Sequence, residues 1–241
     1  VLAYERLRDH CPGDDGPRHR LWKIRARQVI TATGAIERPL AFAGNDIPGV
    51  MLASAVRDFT VNWGVSPGDR TVVVTNNDDA YRTAILLKEA GLEVPAILDA
   101  RPEATGPLAE RARALGIKVI TGRGIARVKG RARVEGVAIG AQAGEGATLD
   151  EIRCDAVAMS GGWSPVVHLW SHCGGKLTWD EAEAMFRPDA DKAPTGADGA
   201  PFVRVAGTAD GHLDTAEALA NAHDAGRAAA RAAGREGTAP A

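Results

Sequence analysis

The chain has 241 residues, enough for one large domain or two small ones, each with its own core. Its 45% hydrophobic and 25% charged residues are typical of globular proteins, and its formal net charge of -2 argues against nucleic-acid or membrane partners. Three cysteines without a CxxC pair predict free thiols in a reducing, cytoplasmic setting and disfavour a disulfide reductase.

The first fifty residues predict a hairpin followed by a buried strand. Val1–Arg27 alternates polar and apolar residues around a breaker cluster, Cys11–Pro17, which is typical of a loose hairpin tip. Gln28–Gly34 then predicts a buried strand that ends in a glycine turn. Because the chain opens at Val1 in what looks like mid-domain sequence, we expect it to be part of a longer protein.

A repeated βα pattern occupies the middle of the chain. Val50–Trp63 has the apolar spacing of a helix, and from Asp69 short apolar strands alternate with helices. This alternation predicts half of a doubly wound, dinucleotide-type sheet. The predicted elements are the strands Thr71–Thr75, Val94–Leu98 and Ile117–Ile120 and the helices Ala80–Ala90 and Pro107–Leu115.

From residue 124 onward the sequence changes character twice. Residues 124–152 alternate in the way of an antiparallel meander, and the chain then returns to buried strands and helices. The predicted elements are the strands Asp155–Met159 and Phe202–Ala206, the helices Val166–His172 and Thr215–Ala233, and a polar loop, Ala190–Ala200.

Two strands ending in small residues, Val29–Gly34 and Val203–Gly207, bracket this central region. Such a pair is typical of flavoproteins in which one dinucleotide-binding domain is inserted in another, because small residues let the backbone approach a pyrophosphate. We therefore predict an α/β protein, a Rossmann-like doubly wound domain with a small antiparallel meander, inserted in a partial second dinucleotide-binding domain. The predicted boundaries are 1–50 (outer), 51–189 (inserted) and 190–241 (return to outer).

The turn after the first strand of the inserted domain lacks the expected glycines. Thr75, Asn77 and Ala80 stand at the three glycine positions, and Asp78 and Asp79 would oppose a pyrophosphate. One of these two acids can instead cap the following helix. Asp99 stands where an acidic residue binds ribose in such domains, but with this turn the sequence favours an inserted domain that has lost its nicotinamide cofactor.

Other chemistry-bearing residues predict no site. His168 and His172 share a helix face beside Cys173, yet no fourth ligand stands nearby, so we predict no metal. Trp163 follows a strand end, where packing is the preferred interpretation.

Three stretches resemble the alpha subunit of heterotetrameric sarcosine oxidase. They are ATGAIERPL at 32–40, TNNDDAYRT at 75–83 and SGGWSPVVHL at 160–169, extended by GGKLTWD at 174–180. Their order and separation are similar to that family over nearly the whole chain.

The resemblance implies an oxidoreductase that demethylates sarcosine to glycine and passes the one-carbon unit to tetrahydrofolate. It implies beta, gamma and delta subunits as partners, with NAD in the alpha subunit, FAD in the beta subunit, FMN between subunits, and tetrahydrofolate on a C-terminal region. Within this chain we expect an NAD-associated scaffold with no catalytic residues, and weak or absent NAD binding by the chain alone.

Carried over residue by residue, the resemblance assigns one wall of an NAD site. Its residues are Ala32, Thr33, Gly34, Gly207, Thr208, Asp210 and Gly211. Two alternatives remain: a subunit of a related opine or amino-acid dehydrogenase or oxidase, and a non-catalytic module that positions other subunits. A strand edge beside Val29–Thr33 also predicts self-association of the chain.

Overall fold

A computed structural model describes residues 1–11, 13, 15–141 and 147–235. The chain forms two compact units, which we call the outer unit (Val1–Ala35 with Pro165–Ala241) and the inserted unit (Ile36–Ser164). The chain therefore changes unit near residues 35 and 164, whereas the sequence placed the changes near 50 and 189. At the first boundary the difference has a local cause, since the loop before residue 50 bonds to the meander of the inserted unit, with Val134 N donating to Pro48 O at 3.0 Å.

The secondary structure comprises sixteen strands and five α-helices within the described residues. The strands are β1 (Leu2–Arg6), β2 (His19–Lys23), β3 (Val29–Thr31), β4 (Ala35–Glu37), β5 (Val50–Leu52), β6 (Thr71–Thr75), β7 (Ile97–Asp99), β8 (Val119–Thr121), β9 (Arg123–Gly130), β10 (Val134–Ala141), β11 (Thr148–Ile152), β12 (Ala156–Ser160), β13 (Trp163–Pro165), β14 (Leu177–Asp180), β15 (Met185–Pro188) and β16 (Val203–Val205). The helices are α1 (Ala53–Trp63), α2 (Asp79–Glu89), α3 (Pro107–Ala114), α4 (His168–His172) and α5 (Thr215–Ala232).

The inserted unit is built on a five-stranded parallel sheet with the order β5-β12-β6-β7-β8. Alternate residues of its strands face opposite layers. Val73 packs with α1, α2 and α3 on one face, whereas Val72 and Val74 pack with the antiparallel β9–β11 meander on the other. Both faces are covered, which explains why the central strands are continuously apolar. The predicted α/β fold with its meander is confirmed.

The helix predicted over Val50–Trp63 is wrong in its first three residues. Val50, Met51 and Leu52 form the edge strand β5, which pairs in parallel with β12, and the helix begins at Ala53. A long-range pairing has overridden the local helical spacing. The buried Glu37 carboxylate accepts from Ser54 N at 2.8 Å and so satisfies one free amide at the start of α1.

The outer unit has a parallel pair of strands at its centre, β3 and β16. Its core contains Trp170, Val203, Val205 and Ala209. The predicted hairpin is present as β1 and β2, although Pro12 and Asp14 of its tip lie outside the described residues. A second hairpin, formed by β14 and β15, was not predicted.

Helix α5 follows the turn after β16. The Asp214 side chain caps it by accepting from Ala216 N at 2.8 Å and Glu217 N at 3.2 Å.

No helix in the described ranges is both long and apolar enough to cross a membrane.

Candidate functional site

The strand order of the inserted unit reverses between β12 and β6. In open α/β sheets, ligands bind at the carboxyl ends of the strands at such a point. Here the Asn77 side chain crosses from one strand end to the other, because its Nδ2 donates to Ser160 O at 3.3 Å and to Ser160 Oγ at 3.0 Å. Its Oδ1 accepts from Asp79 N at 3.1 Å. The polar atoms of the Asn77 side chain are therefore bonded within the turn and to the end of β12.

The two acidic residues of this turn are held by arginines. Asp78 is the N-cap residue of α2, as predicted, but its side chain makes no capping hydrogen bond. Asp78 Oδ1 instead accepts from Arg101 Nη2 at 2.7 Å, and Asp79 Oδ2 accepts from Arg57 Nη2 at 3.1 Å. A guanidinium is a stronger partner for a carboxylate than a neutral amide, which explains why these side chains pair with arginines and not with the amides at the start of α2.

Asp99, at the end of β7, is fully buried and fully bonded. Its Oδ2 accepts from Tyr81 Oη at 2.7 Å and from Arg101 Nη2 at 2.8 Å. Its Oδ1 accepts from Arg101 Nε and from Arg101 N, both at 3.0 Å. A ribose hydroxyl thus has no access to this carboxylate, and the Arg101 guanidinium occupies the oxygens that a ribose would use.

The surroundings of Tyr81 and Arg101 raise the pKa of both side chains. Burial raises the pKa of Tyr81 above its ordinary value, and the hydrogen bond to Asp99 raises it further. The hydrogen bond to Asp99 likewise raises the pKa of Arg101, against the opposing effect of burial. Tyr81 therefore remains a neutral donor and Arg101 a cation at neutral pH, which suits a structural role for their bonds to Asp99.

The glycine turns of the outer unit follow β3 and β16. Gly34 has φ of 77°, Gly207 of 69° and Gly211 of 86°, a region that favours glycine. A Cβ built on Gly34 would meet nothing nearer than Thr208 Oγ1 at 3.9 Å. The structure thus brings Gly34 and Thr208, predicted from opposite ends of the sequence, close together. Ala32 and Thr33 beside them are exposed, and Thr33 Oγ1 donates to Val166 O at 2.7 Å.

Two residues that the sequence did not single out hold the second turn. Asn221 of α5 accepts from Gly207 N at 2.8 Å through Oδ1 and donates to Asp210 Oδ2 at 2.9 Å through Nδ2. Arg187 of β15 donates from Nε at 3.1 Å and from Nη2 at 3.0 Å to Asp210 O. We call these contacts the turn clamp. Its partners are distant in sequence, so no local signal could have revealed it.

The two units differ in how well they suit a dinucleotide. The inserted unit suits one less well, since the Asn77 side chain is bonded across the turn and Asp99 is fully bonded inside the protein. The outer unit presents small residues and open backbone at two adjacent strand ends, which suits the close approach of a phosphate group. The remaining candidates bring no metal cluster together: His168, His172 and Cys173 are exposed on or beside α4, and the described residues contain no group of three or more ligating side chains.

The fold is that of FAD- and NAD(P)-binding Rossmann-like oxidoreductases. The structure resembles thioredoxin reductase from T. acidophilum, with a TM-score of 0.61 and 19% identity over 86% of this chain and 64% of that one. It also resembles a ferredoxin reductase from Rhodopseudomonas palustris, with a TM-score of 0.61 and 19% identity over 89% of this chain and 54% of that one. No protein-family model matches the chain.

Among curated proteins, the chain is similar to the alpha subunit of sarcosine oxidase. It is 41% identical to the protein from Corynebacterium sp. (strain P-1) over 98% of this chain, and 39% identical to that of Rhizobium meliloti (strain 1021) over 76%. The chain spans 24% and 18% of these relatives' lengths, respectively. One of the opine oxidase subunits of Rhizobium meliloti is 25% identical over 72% of this chain and 42% of that protein. The predicted resemblance is confirmed.

Proposed function

We propose that the chain is part of the alpha subunit of a sarcosine oxidase complex, in which it serves as an NAD-associated scaffold without catalytic residues. The observation that carries the proposal is 41% identity across 98% of the chain. In this proposal the complex demethylates sarcosine to glycine and transfers the one-carbon unit to tetrahydrofolate. Beta, gamma and delta subunits contribute FAD and FMN, and tetrahydrofolate binds outside this chain.

NAD is assigned to the outer unit. The residues proposed to line it are Ala32, Thr33, Gly34, Gly207, Thr208, Asp210 and Gly211. Support comes from the pairing of β3 with β16 and from the open space around Gly34. Two of the polar groups, Gly207 N and Asp210 Oδ2, are engaged by Asn221, so these residues supply one wall and the chain alone binds NAD weakly. The three free thiols support a cytoplasmic location.

The second candidate is a component of an opine or amino-acid oxidase or dehydrogenase, favoured by the similarity to an opine oxidase subunit. The lower identity makes it the weaker candidate. A module that only positions other subunits is the third, and it excludes NAD binding altogether.

Substrate turnover by the assembled complex separates the first two candidates. Oxygen consumption is measured with sarcosine, octopine and L-proline on the complex that contains the full-length protein. We expect the highest kcat/KM for sarcosine, and a higher value for octopine or L-proline would contradict the proposal. His168→Ala, His172→Ala and Cys173→Ala test the scaffold role, because each is expected to keep kcat within about twofold, whereas loss of a catalytic group costs about 100-fold or more.

A further inference from the structure

A cavity of about 360 Å³ opens in the outer unit beside β16 and α5. Its size lies within the range of small-molecule sites. Trp170 and Val203 contribute apolar wall, whereas Arg204, Asp210, Asn221 and Asp224 contribute polar groups. Asp210 and Asn221 belong to the turn clamp, Trp170 and Val203 to the core of the outer unit, and Arg204 and Asp224 have had no role so far.

Arg204 lines this cavity, and its side chain is short of partners. Its Nε is buried and has no hydrogen-bond partner among the described residues, and its guanidinium forms no ion pair with any of them. Buried polar groups almost always have a hydrogen-bond partner. Arg204 is an exception, which suggests a partner that is not among the described residues. The planar fork of a guanidinium matches a carboxylate in geometry as well as in charge.

Two carboxylates share the cavity with Arg204. Asp210 uses Oδ2 for Asn221, whereas the Asp224 side chain is 81% exposed and has His223 Nδ1 at 3.6 Å. A simple anion at Arg204 would be repelled by these acids, and a simple amine would leave Arg204 without a partner. A molecule that carries both charges satisfies both requirements.

We propose that this cavity binds a small zwitterion of the α-amino-acid class. Its carboxylate pairs with Arg204, its ammonium group faces Asp210 and Asp224, and its carbon atoms lie against Trp170. The proposal requires neither NAD binding nor catalysis by this chain, so the outcome of the turnover assay does not decide it.

Isothermal titration of the protein with glycine and sarcosine, without NAD, tests the proposal. A ligand of this size is expected to bind with a dissociation constant on the order of 1 mM. Acetate carries only the carboxylate and methylamine only the ammonium group, and each is expected to bind about tenfold more weakly or not at all. No binding of glycine or sarcosine up to about 50 mM, or equal affinity for all four compounds, would overturn the proposal.

Variants locate the site. Arg204→Met is expected to weaken glycine binding about tenfold or more, while Arg227→Met, which removes an exposed arginine of α5, is expected to leave it unchanged. Asp224→Asn tests the site even if Arg204→Met does not fold, because the exposed Asp224 side chain can be replaced without disturbing the core. This variant removes one of the two charges that face the ammonium group, so the ratio of glycine affinity to acetate affinity is expected to fall. Unchanged preference in a folded Asp224→Asn protein, or unchanged glycine affinity in a folded Arg204→Met protein, would contradict the proposal.

Discussion

At the scale of single residues, Arg101 both stabilises the buried Asp99 and blocks it from a ligand. It places four hydrogen bonds on two carboxylates, three of them on the buried Asp99. Charge removed from water is stabilised only when it is well paired, so Asp99 and Arg101 depend on each other. The same pairing leaves no oxygen of Asp99 for a nucleotide.

Asp99→Asn tests this dependence. The variant leaves the partly buried Arg101 with only the exposed Asp78 as a charged partner, and we expect the free energy of unfolding to fall by about 2–4 kcal/mol. Asp78→Asn is the matched control, since Asp78 pairs with the same guanidinium but its side chain is 54% exposed, and a loss of about 0–1 kcal/mol is expected. Urea denaturation measures both. Equal losses in the two variants would show that burial does not set the strength of this network.

Cys154 is a second residue whose surroundings determine its chemistry. Burial, followed by the nearby Asp155 charge, raises the pKa of its thiol from 9.0 to about 12. At pH 8 roughly one thiol in ten thousand is then ionised. Because the folded-state pKa is raised, the neutral thiol stabilises the fold fully below about pH 9, and this stabilisation is lost as pH rises through about 12.

A thiol reagent at pH 8 checks this prediction. Cys11 and Cys173 are exposed and are expected to react promptly, whereas Cys154 should react only after the protein unfolds in denaturant. The Cys154→Ala variant should lose only the slow phase. Prompt reaction of all three thiols in the folded protein would contradict the buried position of Cys154.

At the scale of elements, the β14–β15 hairpin is tied to the turn after β16 by a single arginine. Arg187 donates to Asp210 O and also, from Nη1, to Asp180 Oδ2 at 3.3 Å. The backbone amide of Glu183, and then Arg187, lower the pKa of Asp180 below its ordinary value of 3.8. The ionised carboxylate therefore helps to hold the hairpin that carries Arg187.

The pH dependence of this contact has a definite sign. A lowered folded-state pKa means that Asp180 stabilises the fold above its ordinary pKa and that this stabilisation is lost as pH falls through the lowered value. Arg187→Met is expected to raise the pKa of Asp180 part of the way back, because the Glu183 amide remains. Carboxyl NMR titration measures the shift, and Arg227→Met is the control. An unchanged Asp180 pKa in Arg187→Met would contradict the contact.

Elements also show what sequence reasoning can and cannot reach. The parallel core was predictable because Thr71–Thr75 and the neighbouring strands are short apolar runs between breakers. Such continuous runs are expected in a sheet that is covered on both faces. The strand Val50–Leu52 was not, because its partner β12 is about a hundred residues away. The pairs Arg101–Asp78 and Asn221–Gly207 form only after folding, so they left no local pattern to detect.

At the scale of the whole molecule, the two units divide the features of a dinucleotide-binding protein. The inserted unit keeps the sheet and helices but fills its own crevice with Asn77 and covers Asp99 with Arg101. The outer unit keeps glycine turns at adjacent strand ends, with the turn clamp behind one of them. This division supports the proposed scaffold role, since Asn77 and Arg101 occupy the crevice of the inserted unit and the turns of the outer unit are proposed to supply only one wall of an NAD site.

Hydrogen–deuterium exchange of the protein with and without NAD tests this division most directly. We expect NAD to slow exchange only around residues 32–34 and 207–211, and to leave residues 75–82 and 97–101 unchanged. Arg101→Ala, which uncovers Asp99, provides a comparison in which those two segments exchange faster without NAD. Slower exchange at residues 75–82 in the unaltered protein on addition of NAD would contradict the account, because it would place the nucleotide in the crevice that Asn77 occupies.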